Sequence, residues 1–262
     1  MLKISNLHKT FRSENGLENN HVLKGIDLEI DEGDFLTIIG GNGSGKTTLL
    51  NCICGVVKPD SGDIIIDNNN ITKLKEFKRA MFIGRVFQDP MQGTIPEMTI
   101  IENLSLANNR ANKISLRWSM SNKEREFFKK EVKYFDLGLE NRLDDRMKSL
   151  SGGQRQSLTL LMATFNKPKL LLLDEHTAAL DPKTAKKVMQ ITKDIVNKTK
   201  IPTIMITHNM KDAIEYGNRL IMMKDGKIIF RCEGKEKEQL TVDKLIKKFN
   251  EEISELPDSM VL

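Results

Sequence analysis

The sequence predicts an α/β protein: a core with a parallel sheet, an N-terminal antiparallel β subdomain and an inserted helical subdomain. Three observations predict it. A glycine loop, Gly40 to Thr47, sits between a short apolar run and a helix-like run. A second apolar run, Leu170 to Leu173, ends in the carboxylates Asp174 and Glu175. Between them, residues from about 98 to 166 are charged, helix-rich and poor in strand signals.

The elements follow in chain order. Leu2 to Leu7 and Ile26 to Ile30 alternate apolar and polar residues, as half-buried strands do. Gly33 and Asp34 punctuate, and Phe35 to Ile39 is apolar throughout, as a strand buried on both faces requires. Thr47 to Gly55 reads as a helix, and further strands are expected at Asp63 to Ile66 and Ile83 to Phe87. Ser121 and Glu124 stand three residues apart, which makes a capping box and a helix start. The α/β alternation then resumes: strand Lys169 to Leu173, helix Lys183 to Asn197, strand Thr203 to Ile206, helix Lys211 to Tyr216. Closing strands around Leu220 to Met223 and Lys227 to Phe230 flank a hairpin signal, Lys224-Asp225-Gly226-Lys227. These readings give one domain over residues 1–240, with the helical insert at about 98–166, and a tail over 241–262. In that tail Val242, Leu245, Ile246 and Phe249 share one helical face, expected to dock on the body.

Composition narrows the function classes. The 262 residues, 39% of them hydrophobic, suffice for a sizeable core. The net charge of +5 is spread along the chain, which reads as solvated surface lysines rather than a nucleic-acid footprint. Three cysteines are too few and too odd for a disulfide framework and fit a reducing compartment. Cys52 and Cys54 fall inside an expected helix and read as small packing residues. No signal-peptide pattern opens the chain, and no apolar run approaches the ~20 residues of a membrane span. The expectation is a soluble, cytoplasmic chain whose membrane role comes through a partner.

Gly40-Gly41-Asn42-Gly43-Ser44-Gly45-Lys46-Thr47 satisfies the phosphate-loop pattern in the required setting, strand before and helix after. The glycines let backbone amides converge on phosphate oxygens, and the helix N-terminus adds partial positive charge. Lys46 is expected on the β- and γ-phosphates, Thr47 on Mg2+, and Thr48 on the α-phosphate. Asp174 ends a parallel strand on the edge where such sheets bind ligands, so it can hold the Mg2+ hydration shell. Glu175, the next residue, is placed to polarise an attacking water.

Further motifs carry a resemblance. Leu150-Ser151-Gly152-Gly153-Gln154, Val86-Phe87-Gln88-Asp89-Pro90, Ala179-Leu180-Asp181 and Ile206-Thr207-His208-Asn209 occur in this order around the two phosphate motifs. From about residue 2 to 235 the sequence resembles the nucleotide-binding subunits of ATP-binding cassette (ABC) transporters. The resemblance implies a P-loop NTPase, RecA-like core that binds ATP and Mg2+. It makes Leu150 to Gln154 the signature motif, Gln88 the Q-loop glutamine that touches Mg2+, Asp181 part of the D-loop and His208 the switch histidine near the γ-phosphate. Phe11 falls where the family stacks an aromatic on adenine; a core role is its competing reading.

The signature helix presents a second anion-binding N-terminus in a chain whose phosphate loop already holds the nucleotide. The resemblance implies the resolution. Two chains pair head to tail, and Ser151 and Gly153 of one grip the γ-phosphate held by Lys46 of the other. It also implies an integral membrane permease contacting Phe87 to Ile100 and the helical insert, and a separate substrate-binding protein. The runs around Gln88, Glu175 and His208 are similar to a bacterial subgroup described as tryptophan/tyrosine uptake systems. One departure stands out: His176 occupies the position of the family's usual proline after the catalytic glutamate. His176, His8 and His21 read as structural or surface residues. The rivals are a soluble cassette ATPase serving a cytosolic assembly and a DNA-maintenance ATPase; the latter's long heptad insert is missing here.

Overall fold

The computed structural model describes residues 1–12, 19–109, 121–134 and 138–254, with side chains of the last helix up to residue 249. Parts of the expected insert (110–120, 135–137) and tail (255–262) lie outside the described residues. Contacts divide the chain into two compact units, Met1–Lys75 with Pro202–Leu262, and Glu76–Ile201.

The first unit begins with β1 (Leu2–Arg12), β2 (Asn19–Ile30), β3 (Phe35–Ile39), α1 (Lys46–Cys54), β4 (Ser61–Ile66) and β5 (Asn69–Asn70). An antiparallel sheet runs in the order β2-β1-β4-β5. Its register, Leu2 opposite Ile30 and Ile4 opposite Leu28, puts the alternating apolar residues on one buried face. β3 is buried along its whole length and pairs in parallel with two strands that arrive over 160 residues later in sequence, β8 (Thr203–Ile206) and β9 (Arg219–Lys224). Apolar side chains on both faces are what such a central parallel strand requires.

β10 (Lys227–Glu233) turns back antiparallel on β9, so this sheet is mixed rather than purely parallel. The turn is the expected one: Asp225 and Gly226 have φ of 48° and 81°, the left-handed pair of a two-residue hairpin. Helix α7 (Met210–Glu215) follows β8, and the short α8 (Gly234–Glu238) follows β10. The Lys237 ammonium of α8 donates to the carbonyls of Ile214, Tyr216 and Gly217, satisfying the open end of α7. α9 (Val242–Ser254) buries Leu245 completely among Ile39, Ala213, Leu220, Met222 and Cys232, and Phe249 packs against the same cluster. Cys52 and Cys54 are buried in α1, and Cys232 is buried too.

The second unit holds α2 (Glu76–Arg79), β6 (Ile83–Val86), α3 (Ile100–Asn108), α4 (Asn122–Tyr134), a single 3-10 turn (Met147–Ser149), α5 (Gly152–Thr164), β7 (Leu170–Asp174) and α6 (Pro182–Thr199). β6 and β7 run parallel, with Arg85 in register with Leu172. Leu170 to Leu173 are all fully buried; each such leucine contributes about 1.5–3 kcal/mol over an exposed one. Among the described residues of 98–166 there is no strand, only an isolated bridge between Thr99 and Arg146. The Ser121–Glu124 box forms as expected, each backbone amide meeting the other's side-chain oxygen at 2.9 and 3.2 Å. Thr99 and Glu102 make an equivalent box at the start of α3. α6 starts at Asp181, whose side chain accepts from the Thr184 amide, with Pro182 in its first turn. Its buried residues Val188, Met189, Thr192, Ile195 and Val196 recur at helical spacing.

Candidate nucleotide site

The phosphate loop leaves β3 through Gly40, whose φ of 154° lies in the glycine-favouring region. A Cβ at Gly40 would lie 2.2 Å from the Met223 carbonyl oxygen, so only glycine allows the loop to pass β9. Gly43 and Gly45 have φ of 76° and 99°, and Gly45 caps α1 without any side-chain hydrogen bond. The first-turn amides of α1 therefore keep the character of an anion site. Lys46 is buried, and its ammonium donates to the carbonyls of Gly40 and Gly41 at 2.9 Å each and to Ser44 Oγ at 3.4 Å. The loop thus curls around the Lys46 ammonium. Asn42 and Thr47 are exposed, Ser44 is buried and Thr48 is half-buried.

In the same unit His208 is exposed just past β8. The Thr207 amide donates to the Ile38 carbonyl at 3.2 Å, which anchors that strand end beside the end of β3. Asn209 caps α7. Phe11, on β1, is 41% exposed, with the Lys9 ammonium 5.3 Å from its ring centre. That exposure removes the core reading and leaves an open aromatic face.

The second unit carries the other residues singled out in the sequence. β7 ends in Asp174, and Asp174 Oδ2 accepts from Arg85 Nη2 at 3.0 Å. Glu175 follows with φ 47°, a left-handed backbone uncommon for a side chain of its size, and its carbonyl accepts from the Ala178 amide at 2.9 Å. His176 is buried, with Nε2 3.2 Å from Thr192 Oγ1, and the Thr192 hydroxyl donates to the Val188 carbonyl at 2.9 Å. With that proton committed, Nε2 carries the hydrogen and donates. Burial pushes the His176 pKa down to about 4, so the ring is neutral at physiological pH. Asp181 is exposed, and the Thr184 hydrogen bonds hold its carboxyl below the usual range. Gln88 is exposed beyond the end of β6.

Ser151 caps α5 in a reciprocal box with Gln154: each backbone amide bonds the other's side-chain oxygen, at 3.2 and 3.3 Å. The box uses the Gln154 amide, so the open donors of this helix start are those of Gly152 and Gly153. A Cβ at Gly153 would lie 2.0 Å from Thr184 Cγ2, and one at Gly152 3.4 Å from Leu180 Cδ2. Gly153 thus also lets α5 close on the start of α6, whereas a Cβ at Gly152 would make only an ordinary contact. The sequence reading missed that packing role. It also missed Arg85, Thr192 and Gln156. The spacing from Thr99 to Glu102 is a capping-box signal that could have marked the start of α3.

Within the second unit, the oxygen donors of Gln88 and Asp174 are of the kind a hard divalent cation takes, and in the first unit so is the Thr47 hydroxyl. The positive-φ loop, the uncapped start of α1 and buried Lys46 suit a polyphosphate.

A family model described as "ABC transporter" matches residues 23–178. The chain belongs to the ABC transporter family. It is 47% identical over 249 residues to the tyrosine transport ATP-binding protein of Clostridioides difficile, covering 95% of this chain and 98% of that one. It is 34% identical to the ATP-binding cassette MJ0796, solved as a dimer in a post-hydrolysis state bound to ADP and Pi (TM-score 0.75; 89% of this chain, 98% of that one). It is 28% identical to the cassette MJ1267 in its ADP conformation (TM-score 0.77; 95% and 98%). The α/β fold with a mixed sheet and an antiparallel sheet is that of these ATPase cassettes. This ABC subunit binds ATP and is an ATPase. Among its described residues no helix is long and apolar enough to cross a membrane.

Proposed function

We propose that this chain is the ATPase subunit of a bacterial ABC importer of amino acids or a similar small solute. In this reading residues 1–240 form the cassette, with the helical insert at about 98–166, and residues 241–262 form a helical tail. The cassette works as a head-to-tail homodimer on a separate permease at the cytoplasmic face of the membrane, with a separate binding protein. The relative named for tyrosine transport, matched over nearly its whole length, supports an amino-acid cargo.

Hydrolysis is in-line attack of water on the γ-phosphorus, breaking its bond to the β-phosphate oxygen. Glu175 takes the water's proton. Its backbone is left-handed, at φ 47°. Lys46 and the amides of Gly43, Gly45 and Thr47 neutralise phosphate oxygens, Thr48 binds the α-phosphate, and Phe11 stacks on adenine. Mg2+, when bound, neutralises developing charge, and Thr47, Gln88 and Asp174 are the residues that would hold it. His208 steadies the γ-phosphate. Ser151, Gly152 and Gly153 of the opposite chain close over it, and Asp181 lines the dimer contact. In this reading the permease contacts Phe87 to Ile100 and the helical insert, and a groove of about 390 Å³ in the second unit, lined by Arg85, Phe87, Ile95, Leu106, Thr159 and Met162, supports that contact.

The observation that carries the head-to-tail dimer is the second anion-binding helix start, at Ser151, in a chain that already has a phosphate loop. Mixing a Lys46→Ala chain with a Ser151→Arg chain tests it. Each is expected inactive alone. Mixed dimers contain one composite site with both halves intact, so activity returns on mixing; no recovery in verified heterodimers sinks the model. Co-purification with a multi-span membrane protein, rather than a soluble assembly, tests the permease.

A further inference from the structure

Arg85 has no role in the ATPase scheme above, yet it touches that scheme at two places. Its strand, β6, lies parallel to β7, and its register partner Leu172 is two residues before Asp174. The side chain reaches forward to the strand end and binds Asp174 Oδ2 through Nη2 at 3.0 Å. Both side chains are nearly shielded, at 14% and 13% exposure, so water does little to weaken the pair. The guanidinium also lies over the Phe87 ring, 4.6 Å from its centre. Buried Gln156 of α5 holds the Phe87 carbonyl at 3.0 Å. Arg85 and Phe87 are in turn part of the groove wall.

A permanent cation is therefore bound to the carboxylate assigned to the metal shell. A guanidinium on that carboxylate would repel a divalent cation and compete with it for the same oxygens. The same guanidinium is held by a ring that faces the groove. Whatever enters the groove and moves Phe87, or draws off Arg85, changes how much of Asp174 the metal can use.

We propose that Arg85 is a positioning residue that restrains Asp174, and that occupation of the groove releases the restraint. The release step rests on the reading that the groove receives the permease; the restraint itself belongs to the isolated chain. The guanidinium's two contacts make its geometry specific. It needs a carboxylate at one edge and a ring beneath its flat face, which lysine's compact ammonium cannot match.

The restraint is tested on the full isolated chain loaded with a non-hydrolysable ATP analogue. Mn2+ binding is followed by electron paramagnetic resonance in wild type, Arg85→Gln, Arg85→Lys and Phe87→Leu. Removing the charge in Arg85→Gln is expected to lower the Mn2+ concentration for half-saturation about fivefold, the low end of typical site-to-site coupling. Arg85→Lys keeps the charge but loses the two-contact geometry, and Phe87→Leu keeps the guanidinium but removes its support, so each should lower it by less than Arg85→Gln does. Unchanged or weaker Mn2+ binding in a folded Arg85→Gln chain overturns the restraint. For the release step, permease complexes are compared with the free subunit. Permease should tighten Mn2+ binding in wild type and leave Arg85→Gln unchanged; equal tightening in both overturns the release step. A wild-type chain that never associates with a permease defeats the transporter reading instead, and leaves the Mn2+ titration to judge the restraint.

Discussion

The phosphate loop and the Asp174–His176 strand end both carry ATPase motifs, but they are held by different means. The loop is shaped by backbone. Gly40 is required because a Cβ there would strike the Met223 carbonyl, and Lys46 is gripped by the carbonyls of Gly40 and Gly41. The strand end is shaped by side chains from distant sequence: Arg85 on Asp174, and Thr192 on His176. Backbone-made geometry has little room to adjust, whereas side-chain-made geometry can be tuned by substitution or by a ligand.

The largest expected break of this contrast is Gly40→Ala. Backbone cannot rotate out of a 2.2 Å contact as a side chain can, and the positive φ adds strain. A cost of about 3 kcal/mol or more is expected. In nucleotide affinity that is roughly 100-fold, read by calorimetry. A compensating Met223 substitution should not restore binding, because the obstacle is its carbonyl oxygen. Rescue by such a pair would show that the loop is set by side chains after all.

His176 supplies an effect of similar size, but only at acid pH. Its folded pKa of about 4 lies below the ordinary 6.5. Below pH 6.5 the unfolded chain takes up a proton that the folded chain refuses. Stability is therefore fully present above 6.5 and falls as pH drops towards 4, by an amount on the order of 3 kcal/mol from this group. Denaturant unfolding of wild type and His176→Asn at pH 7.5 and 4.5 checks this. The asparagine keeps a donor for Thr192 and does not titrate, so its loss of stability over that range should be smaller. Parallel curves for the two proteins would mean that the buried ring is not what senses the pH.

The smallest effect sharpens the comparison at the signature helix. Gly153→Ala places a methyl 2.0 Å from Thr184 Cγ2, a side-chain atom. The expected cost is about 1–3 kcal/mol, and Thr184→Ala in the same chain should recover most of it. The double-mutant cycle, read in melting experiments, separates packing of α5 on α6 from phosphate contact. If stability recovers and activity does not, Gly153 serves both.

The readings differ in how far sequence carried them. The β3–loop–α1 run was legible because strand, glycines and helix are contiguous, and local backbone rules decide them. The strand at Thr203 to Ile206 was placed to the residue, and α6 to within two, with Asp181 and Pro182 marking its start. The antiparallel placing of β10 was legible only in its turn, Asp225-Gly226. The two-residue strand β5 and the one-turn α2 and α8 carry too few residues for periodicity to find.

His176 shows the limit most clearly. Sequence marked it as a departure from the family pattern and left it a structural or surface residue. Its burial and its bond to Thr192, sixteen residues on, depend on how α6 packs. By itself the sequence determined the phosphate loop, the apolar strands, the capped helices and the family, because each rests on neighbours along the chain. Only the tertiary structure decided that Arg85 holds Asp174, that His176 is buried and neutral, and that Gly153 clears Thr184. Those facts depend on which side chains meet across sequence separations of 16 to 89 positions, and packing of whole elements sets that.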